Sequence, residues 1–124
     1  MIGRLQTFAL DSPDPVALAG FYAGLLGGRI EDDGEGWVDL IGDHGTAPAF
    51  QRVDDYRAPQ WPDPDHPQQA HLDIAVPDIA VPDTAAAHPE VLALGATPPA
   101  DWDGKQSWRV HADPAGHPFC LCVQ

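Results

Sequence analysis

Short runs of alternating apolar and polar residues are interrupted twice along this chain by stripes at helical spacing. Leu5 to Leu10 alternates, which predicts a first strand with Phe8 and Leu10 on one face and Thr7 and Ala9 on the other. Asp14 and Pro15 then supply a helix N-cap and a first helical residue. Leu18, Phe21, Tyr22, Leu25 and Leu26 make the apolar stripe of that helix, and Gly27-Gly28 stops it. Three further strands follow at Arg29 to Glu31, Trp37 to Ile41 and Pro48 to Val53, separated by Asp- and Gly-rich turns, the second containing His44.

The stretch from Asp54 to Gln69 has no periodicity and four prolines and reads as a connection between modules. Alternation resumes at Ala70 to Val76, with Leu72, Ile74 and Val76 on one face and His71, Asp73 and Ala75 on the other. A five-residue segment, Ala75-Val-Pro-Asp-Ile, then recurs as Ala80-Val-Pro-Asp-Thr. Asp83 is placed to cap a second helix that ends at Leu94-Gly95, and Pro89 should kink it or split it into broken turns. Thr97 to Asp103 reads as an irregular strand and Gln106 to Ala112 as a regular one. The turn Asp113-Pro-Ala-Gly116 feeds a terminal strand. On that strand Phe119, Leu121 and Val123 share one face, and Pro118, Cys120 and Cys122 the other.

The two halves repeat one plan of strand, Pro-Asp loop, helix, Leu-Gly stop and three strands. Thr7 lies 20 residues before Gly27, and His71 lies 24 before Gly95, or 19 once the five-residue repeat is removed. The reading is therefore α+β: one domain over 1–124, with a βαβββ module at 1–53, a linker at 54–69 and a second βαβββ module at 70–124. Joined at their bare faces, the modules would make a curved eight-stranded cup. Phe8, Leu10, Phe50, Leu72, Ile74, Phe119 and Leu121 would face the helices, and Thr7, Gln51, His71 and Cys120 would line the cup.

Charge narrows the function. The net charge is -13, with Lys105 and five arginines as the whole basic complement. Nucleic acid and anionic membrane surfaces are excluded as partners, because both need clustered cations. No apolar run approaches the length needed to span a bilayer, and no signal peptide precedes the first strand, so the expected location is the cytoplasm. Cys120 and Cys122, two apart on one strand, are badly placed for a disulfide.

Phe21-Tyr22 with Leu25-Leu26-Gly27, His71-Leu-Asp-Ile74, Leu94-Gly95-Ala96 and Asp113-Pro-Ala-Gly116 together resemble the vicinal oxygen chelate superfamily, also called the glyoxalase/bleomycin-resistance/dioxygenase family. The chain looks especially like the glyoxalase-like proteins common in actinobacteria. The resemblance covers nearly the whole chain. It implies two βαβββ modules, a homodimer and, in metal-using members, one ligand from the first and one from the last strand of each module. Carried over, those positions are Thr7, Gln51, His71 and Cys120. Metal-using members have Glu where this chain has Cys120, and usually His where it has Thr7. Thr and Gln are weak ligands, and one His with one Cys falls short of a secure centre. No metal cofactor is therefore expected; a divalent metal, if bound, would use His71, Cys120 and Gln51, with Cys122 and His111 as conceivable soft additions.

His71 is the candidate catalytic residue, as a general base, with Asp73 beside it; a plain cup-lining role is the alternative. Cys120 is either a nucleophile or a small buried apolar residue. Arg109 could hold a carboxylate or form an ordinary ion pair, and it shares a strand face with His111. Trp61 and Trp102, in irregular segments, could line an apolar pocket mouth. His44, His66 and His88 read as solvated. The function expected from this set is the binding of a small organic molecule in a concave cup, of the drug-sequestering type, without the usual catalytic metal. The alternatives are a divergent lyase, isomerase or dioxygenase using a metal or His71, and a dimer-assembly module without a ligand.

Overall fold

The computed structural model describes residues 1–43, 45–76, 84–98 and 108–123, with the side chains of 84–86 and 123 left aside. His44, Trp102, the Asp83 cap and most of the repeated segment lie outside the described residues, as does the greater part of the strand expected over Thr97 to Asp103. The chain forms two compact units, Met1–Arg57 and Ala58–Gln124.

Unit one contains strand β1 (Phe8–Ser12), helix α1 (Pro15–Leu26), and strands β2 (Arg29–Asp32), β3 (Trp37–Ile41) and β4 (Pro48–Arg52). Its sheet order is β1-β4-β3-β2, with β1 and β4 parallel and the other pairs antiparallel. α1 begins where the cap chemistry places it: the Asp14 carboxylate accepts the Ala17 N–H at 3.1 Å, and Pro15 needs no donor partner. It ends at Gly27, whose φ of +77° strains any residue with a Cβ. The buried face of α1, Leu18, Ala19, Phe21 and Tyr22, closes over Val38, Leu40 and Phe50. Tyr22 stacks on Phe50 at a centroid distance of 5.5 Å.

The first strand starts and ends later than the alternation predicts. Leu5 is 72% exposed and has no ladder to join. At the other end Asp11 and Ser12, expected in the loop, continue the strand. The Ser12 carbonyl accepts the Val53 N–H, and its hydroxyl accepts the Asp14 N–H, so this buried residue is satisfied within the ladder.

Unit two contains β5 (Leu72–Val76), α2 (Thr84–Leu94), β6 (Trp108–Ala112) and β7 (Pro118–Val123), in sheet order β5-β7-β6. First strand beside last, and last beside the one before it, is the plan of unit one, so the duplication read from spacing appears in the topology. Among the described residues there are seven strands rather than eight. The missing position is marked by one antiparallel bridge, Thr97 to Ala112, with both backbone hydrogen bonds made. α2 runs through Pro89 as a single element instead of breaking there. Pro89 sits in its second turn, so the proline removes one backbone bond and leaves the C-terminal turns intact.

The turn before β7 is built on Asp113, which is 2% exposed. Its Oδ1 accepts the backbone N–H groups of Ala115 and His117, and the His117 ring lies 2.8 Å from Oδ2. Gly116, at φ +93°, passes so close to Ala58 that an added Cβ would stand 3.0 Å from the Ala58 Cβ.

Candidate functional site

In unit one the sequence places Thr7 and Gln51 as a pair, and the ladder separates them. Phe8 pairs with Pro48, which sets Thr7 beside Ala47, and its hydroxyl donates to the Ala47 carbonyl at 2.7 Å. Gln51 pairs instead with Asp11, four residues further along, about 13 Å at the usual rise of a strand. In unit two the partner of Cys120 is Asp73, only two residues beyond His71. The equivalence drawn from motif spacing thus fails in register. Thr7 and Gln51 do not form the counterpart of His71 and Cys120, because β1 reaches into its loop by two residues.

In unit two, Asp73 on β5, Cys120 on β7 and Val110 on β6 form one row across the sheet. His71 lies on the same face as Asp73, two residues before it. Its Nε2 is 3.6 Å from Asp73 Oδ1, and the donor atoms of His71, Asp73 and Cys120 all lie within 4.8 Å of one another. The Cys120 thiol is at the floor, and the His71 and Asp73 side chains, 47% and 64% exposed, form the rim. Burial first, and then the neighbouring Asp73 carboxylate, pushes the Cys120 thiol up to about 11. Unassisted, Cys120 is a protonated thiol at neutral pH, which removes it as a free nucleophile. Asp73 was read from the sequence as a same-face neighbour of His71; its register with Cys120 was not visible there.

His111 and Arg109 belong to a different group, on the opposite face. His111 is 1% exposed, pairs across the ladder with Phe119 and stacks on its ring at 5.4 Å. His88 of α2, read from sequence as solvated, meets it: His88 Nδ1 is 2.9 Å from His111 Nε2. An Arg109 Nη2 donates to His88 Nε2 at 3.0 Å, and His111 Nδ1 is 3.2 Å from the Arg109 carbonyl. A guanidinium can only donate, so His88 Nε2 must accept. Its proton is then on Nδ1 and is donated to His111 Nε2, which leaves the His111 proton on Nδ1 for the Arg109 carbonyl. Every contact is satisfied with both rings neutral. Burial, opposed by the Arg109 carbonyl and helped by the charges of His88 and Arg109, lowers His111 to about 4. His88 is lowered as well, by burial and then by Arg109. His111 is therefore not available to a metal beside Cys120, and Arg109 is held by α2.

A cavity of about 250 Å³ lies at the β6 side of the Cys120 face, in unit two. Pro59, Gln60 and Trp61 supply one wall, Thr97 and Pro98 another, and Val110, His111, Ala112, Gly116 and Pro118 the rest. Trp61 is 49% exposed and is one of the sequence candidates found here. The other is His111, whose ring nitrogens are committed to His88 and Arg109.

The family model described as "Glyoxalase-like domain" matches residues 7–122, and the chain belongs to this family. Solved structures with the same fold include a fosfomycin resistance protein from Listeria monocytogenes, 13% identical, with a TM-score of 0.71, covering 100% of this chain and 95% of that one. A glyoxalase/bleomycin resistance protein/dioxygenase family enzyme from Burkholderia phytofirmans is 18% identical, with a TM-score of 0.68, covering 98% of each chain. An antibiotic-binding protein from a Streptomyces species is 18% identical, with a TM-score of 0.54, covering 98% of this chain and 96% of that one. No curated protein matches the chain at a significant level. No described helix is long and apolar enough to cross a membrane.

Superfamily members often use a divalent metal. The four positions carried over for one do not fit a hard ion. Thr7 donates its hydroxyl to the backbone, Gln51 is neutral, and a thiol stands where a carboxylate oxygen would be wanted.

Proposed function

We propose that this chain binds a small, largely apolar organic molecule in the unit-two cavity, in the manner of a sequestering protein and without a hard-metal centre. The cavity carries this reading: proline, valine and alanine walls with a half-exposed indole and a few polar groups are the usual composition of a small-molecule site. The existence of this fold in an antibiotic-binding protein and in fosfomycin resistance proteins supports it. The walls at Val110, Ala112 and Pro118 lie on the same sheet face as Cys120, and Val110 is its ladder partner, although none of His71, Asp73 and Cys120 lines the cavity.

A panel of aromatic natural products titrated into the protein tests the reading through tryptophan fluorescence. Saturable quenching by at least one compound, lost in Trp61→Ala, is the expected result. Absence of saturable quenching across the panel, or quenching unchanged in Trp61→Ala, sinks it. The same reading takes the chain to work as a cytoplasmic homodimer, as its family resemblance implies. Sedimentation equilibrium should then give twice the mass of the 13.3 kDa chain, and a monomer would reject that part alone.

A further inference from the structure

We infer that the unit-two cavity takes an uncharged, two-ring aromatic molecule carrying one neutral polar group of the carboxamide type, and discriminates against anionic and cationic analogues of the same size. This ligand class rests on the reading of the cavity as a small-molecule site, and narrows it.

Size and layering set the body of the ligand. An apolar cavity of about 150 Å³ accommodates one benzene ring, so a volume of about 250 Å³ has room for a second fused ring. Val110, Ala112, Gly116 and Pro118 make a floor that is buried or half-buried and carries no polar side chain. Gln60, Trp61, Thr97 and Pro98 make an exposed rim. The rings therefore belong on the floor and against the Trp61 indole, and the polar group belongs at the rim. The Gln60 backbone is already engaged there: its N–H donates to the His66 carbonyl at 2.8 Å, and its carbonyl accepts the Asp63 N–H at 2.7 Å. Thr97 exchanges both backbone bonds with Ala112. What these two residues offer a ligand is a side-chain carboxamide and a hydroxyl, which donate and accept hydrogen bonds without carrying charge.

The surroundings select against charge. Among the described lining residues none is a Lys, Arg, Asp or Glu. The His111 ring is neutral, its nitrogens given to His88 and to the Arg109 carbonyl. The Arg109 guanidinium donates to His88 on the α2 side of β6. Asp113 is occupied by the N–H groups of its own turn, and Asp63 by the Asp65 N–H and the His66 ring. On the Cys120 face, Val110, Cys120 and Asp73 are successive ladder partners, which sets Asp73 two strand spacings, about 10 Å, from Val110. That is beyond the screening length of roughly 8 Å at physiological salt. Residues 99–107 carry Asp101 and Asp103 against Lys105, so they add no net positive charge. A carboxylate or an ammonium entering the cavity would give up water and gain no opposite charge, whereas a carboxamide finds matching partners.

The test is isothermal titration calorimetry of the full chain at neutral pH with four probes built on one ring system: 2-naphthamide, naphthalene, 2-naphthoate and 2-naphthylmethylammonium. The amide should bind at one equivalent, and the anion and the cation should each bind at least about fivefold more weakly. The double variant Gln60→Ala with Thr97→Val changes two exposed side chains and keeps the Thr97–Ala112 backbone bonds. It should cost the amide about fivefold and leave naphthalene unchanged. Either charged probe binding as tightly as the amide would overturn the ligand class and leave the cavity reading standing. So would an amide that loses no more than naphthalene in the double variant. Silence from all four probes also overturns the class; the broader reading then survives if a compound of the aromatic panel still quenches Trp61, and falls with it if none does.

Discussion

The neutral relay between Arg109, His88 and His111 makes folding stability depend on pH in a way a single substitution can isolate. Acidification is the perturbation. His111 is lowered from its ordinary 6.5 to about 4 in the fold, because its 1%-exposed ring has no room for a solvated charge. The unfolded chain therefore takes up a proton first as pH falls. The stability contributed by this ring is fully present above the unfolded value and is lost between 6.5 and about 4. At about pH 5 the unfolded state is favoured roughly 30-fold by this group alone, or about 2 kcal/mol, and below about pH 4 the loss levels near 3 kcal/mol.

His88 adds a smaller loss of the same sign. Protonating its Nε2 puts a second donor against the Arg109 guanidinium, and protonating His111 Nε2 puts one against His88 Nδ1. Glu90 on α2 is exposed and Arg109 is already a cation, so neither offers the new charge a buried carboxylate. Urea denaturation at about pH 7.5 and about pH 5, on the wild type and on His111→Phe, reads the effect. Phe keeps the ring packed on Phe119 but cannot titrate. The many carboxylates of this acidic chain titrate in both proteins and cancel in the comparison. The wild type should lose about 2 kcal/mol more than the variant over this interval. Equal losses in the two proteins would refute the neutral-relay reasoning, whatever the absolute stability of the variant.

Two further substitutions probe the frame that carries the site. Asp113→Ala leaves two backbone N–H groups of the β6–β7 turn without their acceptor and should cost about 1–3 kcal/mol in urea denaturation. Phe50→Ala empties a fully buried position under α1 and the ring of Tyr22 and should cost about 3–5 kcal/mol in the same assay.

Local chemistry made much of the fold legible. The N-cap Asp14, Pro15 and the stop at Gly27 define α1 within the sequence itself, and Trp37 to Ile41 is β3 to the residue. The core residues Phe50, Phe119 and Leu121 follow from alternation, and all are fully buried. What alternation cannot supply is register. Thr7 and Gln51 look paired by their distances from the glycine stops, yet β1 slides so that Asp11 meets Gln51. The Asp73–Cys120 pairing was hidden for the same reason, since each strand shows its own faces and not its neighbour's offset.

His111 was legible in part. Alternation puts it on the Arg109 face of its strand, but only the ladder, by pairing it with Phe119, turns that face to the helix side and away from Cys120. His88 was not legible, because its partners Arg109 and His111 are 21 and 23 residues away and nothing in α2 announces them. Trp61 could be suspected from an isolated aromatic in a proline-rich stretch, but the wall formed by Thr97, Pro98 and Gly116 is a product of the fold.

The measurement that tests the central claim most directly is amide chemical-shift mapping of the isotope-labelled protein with a compound that quenches its tryptophan fluorescence. The account predicts saturable shifts concentrated at the cavity-lining amides of Gln60, Trp61, Thr97, Val110, Ala112 and Gly116, with Val38 and Leu40 in the core of unit one unmoved. Shifts confined to unit one, or none at saturating compound, would contradict it.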